Sequence, residues 1–139
     1  MSKTLDQMAS HLEFLGYKIE KFKSEVEGVK EWLRARHPTK YTVAFFELQP
    51  NFVMFRISVT GERKPSAEMA AFLNNANSRF LTATKQYYDV VDGFPVLRWQ
   101  AVYTGDYVKE TFGQFFTMFE GAPQQLASLE GFGKIFLKE

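Results

Sequence analysis

Asp92-Gly93, set inside QYYDVVDGFPVLRWQAVYT at residues 86–104, constrains this chain more than any other feature. The dipeptide readily takes the positive φ angles of a two-residue hairpin turn, and the runs on either side are rich in Val, Tyr, Phe and Trp. With these two residues at the turn, Val91 pairs with Phe94, Tyr88 with Leu97 and Gln86 with Trp99. One face then carries Tyr88, Val90, Leu97, Trp99, Ala101 and Tyr103. The other carries Tyr87, Asp89, Phe94, Val96, Arg98 and Gln100. The first is a core face and the second is mixed.

Residues 41–48 and 52–60 predict a second hairpin around Pro50-Asn51, where Pro suits the first central turn position and Asn the second. If Gln49 faces Phe52 and the ladder is regular, the pairs Leu48/Val53, Phe46/Phe55, Ala44/Ile57 and Thr42/Val59 line the core. Tyr41/Thr60, Val43/Ser58, Phe45/Arg56 and Glu47/Met54 then line the opposite face, which is more apolar than a plain solvated surface needs to be.

Leu5, Met8, Leu12, Leu15, Ile19, Phe22, Val26, Val29 and Leu33 recur at alternating three- and four-residue spacing, the pattern of a helical seam. Gly16 interrupts it, so the spacing predicts two helices, 4–15 and 24–36, with a short edge strand at 17–22 as the alternative. The seam suits either a coiled-coil arm or, as the preferred reading, two amphipathic helices packed on their own sheet. His37-Pro38 closes the segment. A further helix is predicted over 66–82 with Met69, Phe72, Leu73, Ala76 and Phe80 on one stripe. Three Asn in four residues, Asn74, Asn75 and Asn77, are poor helix formers and point to a specific need there. After the opening hairpin comes a helix capped by Asp106, carrying Val108, Phe112, Phe115, Phe116 and Phe119, and stopped at Gly121. Pro123 starts a short helix to Leu129, and 132–139 reads as an apolar-basic tail.

Together these elements predict an α+β fold of two layers: an antiparallel sheet of four or five strands with helices on one face, in the order α(α)-ββ-α-ββ-α. Residues 1–139 read as a single domain, with a helical segment at 1–37 and two ββα units over 41–131. The uncovered face would expose Tyr41, Phe45, Met54, Tyr87, Phe94 and Arg98, the candidate partner-binding residues. With 15 Phe in 139 residues, an aromatic surplus on such a face is to be expected.

The chain has no Cys, which excludes thiol chemistry, disulfides and iron–sulfur clusters. A net charge of +1 with mixed signs lacks the footprint of a dedicated nucleic-acid binder. Two small basic clusters, Arg34, Arg36, His37 and Lys40, and Arg63 with Lys64, are read as solvated charges. No long apolar run is present, so a cytoplasmic protein without a membrane partner is expected. His11 and His37 lack a metal-ligand partner at i+4, and no phosphate loop or nucleophile elbow occurs. No catalytic residue, metal or cofactor is predicted. Glu47 and Asp89 on the open face would be an acid/base pair only if Arg56 and Arg98 did not neutralise them.

LNNANSRF at 73–80, the hairpin from Tyr87 to Tyr103 and GDYVKETFGQFFTMFEGAPQQL at 105–126 resemble the YbjN-like family of small bacterial proteins, which shares the fold of type III secretion chaperones. HLEFLGYKIEKF is similar to the family's opening helix and first strand. In that family 24–36 corresponds to strand, whereas the spacing here predicts helix. The resemblance implies a helix-flanked sheet, frequent homodimers and a binding or regulatory role. The expected function is therefore non-enzymatic capture of a protein partner or peptide segment by a homodimer, on the aromatic sheet face or along the helices. The alternative is a small-molecule sensor or enzyme with a pocket between sheet and helices, lined by Trp99, Tyr103 and Phe116.

Overall fold

The computed structural model describes residues 2–25, 27–79 and 84–138. Its first helix, α1 (Lys3–Phe14), begins where Ser2 accepts a hydrogen bond from the Leu5 amide at 3.1 Å. Leu5, Met8, Ala9 and Leu12 form its buried stripe. Gly16, at φ 97°, takes the left-handed conformation that ends the helix, and the Gly16 and Tyr17 amides satisfy the carbonyls of Glu13 and Leu12.

Where the spacing predicted a helix over 24–36, the chain forms β2 (Glu31–Arg36), paired as a hairpin with β1 (Lys18–Lys23), which falls on the alternative edge strand at 17–22. The apolar residues also fit period two: Leu33 and Ala35 point into the core, while Phe22 and Trp32 meet on the outer face. EWLRAR alternates as a half-buried strand does, and Gly28 at φ 84° lies in the turn. Val26 of the expected seam lies outside the described residues. The strand of the resembled family prevails over the helical spacing.

Next come β3 (Val43–Gln49) and β4 (Phe52–Thr60), then α2 (Ala67–Arg79). The predicted end of this helix at 80–82, including Phe80, lies outside the described residues. The opening hairpin is β5 (Lys85–Val91) and β6 (Phe94–Thr104), in the expected register: Val91 faces Phe94, Tyr88 faces Leu97 and Gln86 faces Trp99.

α3 (Lys109–Ala127) runs unbroken through Gly121 and Pro123, where a stop and a new helix were expected. Pro123 forfeits one backbone hydrogen bond, but Phe119, Ala122, Pro123 and Leu126 are all buried, and their packing holds the helix together. Val108, rather than Asp106, occupies the N-cap and makes no side-chain cap bond. The predicted tail contains α4 (Phe132–Phe136), whose two Phe rings pack on Phe72.

The six strands form one antiparallel sheet in the order β1-β2-β3-β4-β6-β5. The α+β architecture is as expected, with more strands than the four or five predicted. The core lies between one sheet face and the helices, where Phe45, Phe55, Phe112, Phe116 and Phe119 are fully buried. No described helix is long and apolar enough to cross a membrane.

Candidate functional site

The β3–β4 hairpin determines what the outer face presents. Gln49 does face Phe52, and Asn51 takes φ 65° in the turn, both as expected. The ladder slips between Glu47 and Gln49, however, leaving Leu48 as an extra residue, and beyond it Glu47 faces Val53, Phe45 faces Phe55 and Val43 faces Ile57. Because side chains alternate along a strand, this bulge inverts β3 relative to the regular ladder.

Three expectations are overturned in consequence. Phe45 is 0 % exposed and stacks on Phe55 in the core, so it is no surface anchor. Phe46 and Ala44 take its place on the outer face, with Phe46 opposite Met54 and Ala44 opposite Arg56. Glu47 turns to the helix side and accepts a 3.0 Å hydrogen bond from the Ser2 hydroxyl, so it forms no pair with Asp89. Tyr41, just before β3, is exposed but sits on the helix side, at a cleft of about 650 Å³ with Tyr17, Lys40 and Glu120. Met54, Tyr87, Phe94 and Arg98 are on the outer face as predicted.

That face is a continuous surface. At the β1–β2 end Phe22 and Trp32 stack with centroids 4.5 Å apart, and the Arg34 guanidinium lies 4.8 Å from the Phe22 ring centroid while pairing with Glu20. These bonds hold the Glu20 carboxyl below its ordinary pKa. Lys23, Ser24, Glu25 and Val29 border a cleft of about 450 Å³ whose lining also includes Trp32, Phe46, Arg56 and Arg98. Sequence spacing hid Trp32 inside a supposed helix and counted Phe22 in a helical seam; for Trp32 the period-two pattern EWLRAR was the available signal. At the other end Tyr87 donates to Gln100 Oε1 at 2.9 Å, and Phe94 is 46 % exposed at the hairpin tip.

The two central arginines differ. Arg98 Nε lies 2.7 Å from Asp89 Oδ2, an ion pair with an off-line approach, and its Nη1 donates to Ser58 Oγ at 3.3 Å. Arg56 donates through Nη2 to Gln100 Oε1 at 3.2 Å and approaches Met54 Sδ at 3.9 Å, both uncharged, while its buried Nε has no partner.

The helix-side cleft is built otherwise. The Tyr17 hydroxyl donates to Glu120 Oε2 at 3.0 Å, and Lys40 Nζ lies 3.5 Å from Glu120 Oε1. Burial first, then the adjacent Glu120 charge, pushes the Tyr17 phenol far above its ordinary pKa. A phenol so held is a donor, not a base. His11 shares a 2.7 Å hydrogen bond with the Tyr107 hydroxyl, and burial, reinforced by Lys109, lowers its pKa. Trp99, Tyr103 and Phe116, the expected pocket lining, are buried in the core, with Tyr103 packed edge-on to Phe112 and Phe115. In the basic clusters Arg34 and Arg36 pair with Glu20, Lys40 pairs with Glu120, and Arg63 Nε donates to the Leu137 carbonyl at 2.6 Å. Among the described residues no group of His, Asp and Glu is arranged to hold a metal ion.

No known family model matches the sequence, and neither does any curated protein. Among solved structures, the crystal structure of YbjN, a proposed transcription regulator from E. coli, matches over 97% of this chain and 96% of its own. The TM-score is 0.67 at 20% sequence identity. The chain has the YbjN fold. The expected YbjN-like architecture is thus borne out across nearly the whole chain, including the β1–β2 hairpin that helical spacing had obscured. At this identity the likeness to YbjN establishes architecture, and function rests on the surfaces described above.

Proposed function

We propose that this YbjN-like chain is a non-enzymatic, regulatory protein-binding module that holds a segment of a partner protein on the outer face of its sheet, as a homodimer. The observation that carries this reading is the face itself. Phe22, Trp32, Phe46, Met54 and Tyr87 share a sheet surface opposite the helix layer, with arginines at its centre. Aromatic residues and Arg are the usual energetic centres of interfaces. The name given to YbjN agrees with a regulatory role. The near-neutral charge and the paired basic clusters favour regulation through protein contact over direct DNA binding.

The test is a double substitution, Phe46→Ser with Tyr87→Ser, measured by light scattering and by capture of partners from the native host. Retention of the wild-type melting temperature with loss of mass or of captured partners is the expected result. Unchanged mass together with unchanged capture would refute the assignment of this face.

A further inference from the structure

We infer that the cleft around Arg56 receives an acidic side chain of the partner segment, its carboxylate on the Arg56 guanidinium and a neighbouring large apolar side chain on Trp32 and Phe46. This rests on the binding reading above and specifies what is bound. Arg56 lies in mid-sheet between Ala44 and Gln100, and its two contacts are to uncharged groups. Its Nε is shielded from solvent and unpartnered. Leaving a guanidinium half-buried without a counter-charge is costly, and an incoming carboxylate on its Nη atoms would remove the cost.

The surroundings select the occupant. Lys23, Arg56 and Arg98 border the cleft, against Glu25 as its acidic group. Asp89 already holds Arg98, and its negative charge disfavours a doubly charged phosphate more than a single carboxylate. Two-fold pairing with a second copy centred on this cleft would set arginine against arginine, so a foreign acidic segment fits better. Trp32 and Phe46 require that the carboxylate arrive beside an apolar group. The volume of about 450 Å³ suits a few side chains and not a folded surface.

The experiment is selection from a random dodecapeptide display library on the wild-type protein, followed by affinity measurement on Arg56→Gln and on Ser58→Glu, which installs a carboxylate in the same cleft. Selected peptides are expected to carry Asp or Glu next to an aromatic or large aliphatic residue. Their binding should weaken roughly tenfold in each variant. In parallel, phenylacetate should shift the Arg56 Nε–H resonance while phenylacetamide does not. Peptides that lack acids, or that bind Arg56→Gln as tightly as wild type, overturn this inference and leave the binding module standing. Failure to select any peptide overturns both. Binding of phenylacetate without selection of acidic peptides overturns the peptide as occupant.

Discussion

Asn77 on α2 grips the main chain of Gln86 from both sides at the start of β5. Its Nδ2 donates to the Gln86 carbonyl at 2.8 Å, and its Oδ1 accepts from the Gln86 amide at 2.8 Å and from the Gln86 side chain at 2.5 Å. An Asn within a helix costs propensity, and here in the last turn of α2 the cost is offset by a clasp that replaces the ladder partner an edge strand lacks on its free side.

Asn77→Ala removes both halves of the clasp and strands a buried amide and carbonyl. The expected loss is about 2 kcal/mol, read as a lower urea midpoint at unchanged slope. Asn77→Asp keeps the acceptor and loses the donor to the Gln86 carbonyl, so it should fall between. A loss below about 0.5 kcal/mol for Ala would show the clasp to be dispensable.

The inverted face of β3 is tested by two adjacent residues. Phe45→Ala empties a fully buried ring site and should cost about 3–5 kcal/mol. Phe46→Ala, on the outer face, should cost about 1 kcal/mol or less. The reverse order of midpoints would restore the regular ladder and return Phe45 to the surface.

Gly61 donates to the Pro95 carbonyl at 2.7 Å, and a Cβ placed on it would lie 2.9 Å from Pro95 Cγ and 3.2 Å from the same carbonyl oxygen. Gly61→Ala therefore forces the β4 exit away from β6 at about 1–3 kcal/mol. Thermal melting reads this directly; an unchanged melting temperature would mean the two segments separate freely.

His11 gives a pH signature. Its folded pKa lies below the ordinary 6.5 because burial, then Lys109, disfavours the charged ring. The unfolded chain therefore takes up the proton first as pH falls. The stabilisation is fully present above 6.5 and is lost as pH drops from there through the lower folded value. His11→Gln should flatten that part of the stability profile and leave the carboxylate-driven decline at lower pH. An identical slope in wild type and variant would exclude His11 as its source.

The sequence made legible those elements whose local signals agree. Asp92-Gly93 and alternating flanks specified the register of β5 and β6 down to individual pairs, and Gly16 marked the end of α1. It was ambiguous where one spacing fits two periods: Phe22 and Leu33 satisfy helix and strand alike, and the pairing of β2 with β1 and β3 decides the matter. The bulge was invisible because no residue type demands it. Residues placed beyond it were assigned to the wrong side, and so the unpartnered state of Arg56 appears only in three dimensions. At Pro123, tertiary packing overrides the local signal.

That bulge also gives β3 something like a reading frame. In the observed frame Val43 and Phe45 point inward; moved by one position, Ala44, Phe46 and Leu48 would do so, a set of comparable greasiness. Two neighbouring Phe make the alternatives near twins, and one surplus residue before the turn chooses between them. Insertion or loss of a single amino acid near 48 would thus exchange what this strand shows the world for what it hides, with little change in how much oil it contributes.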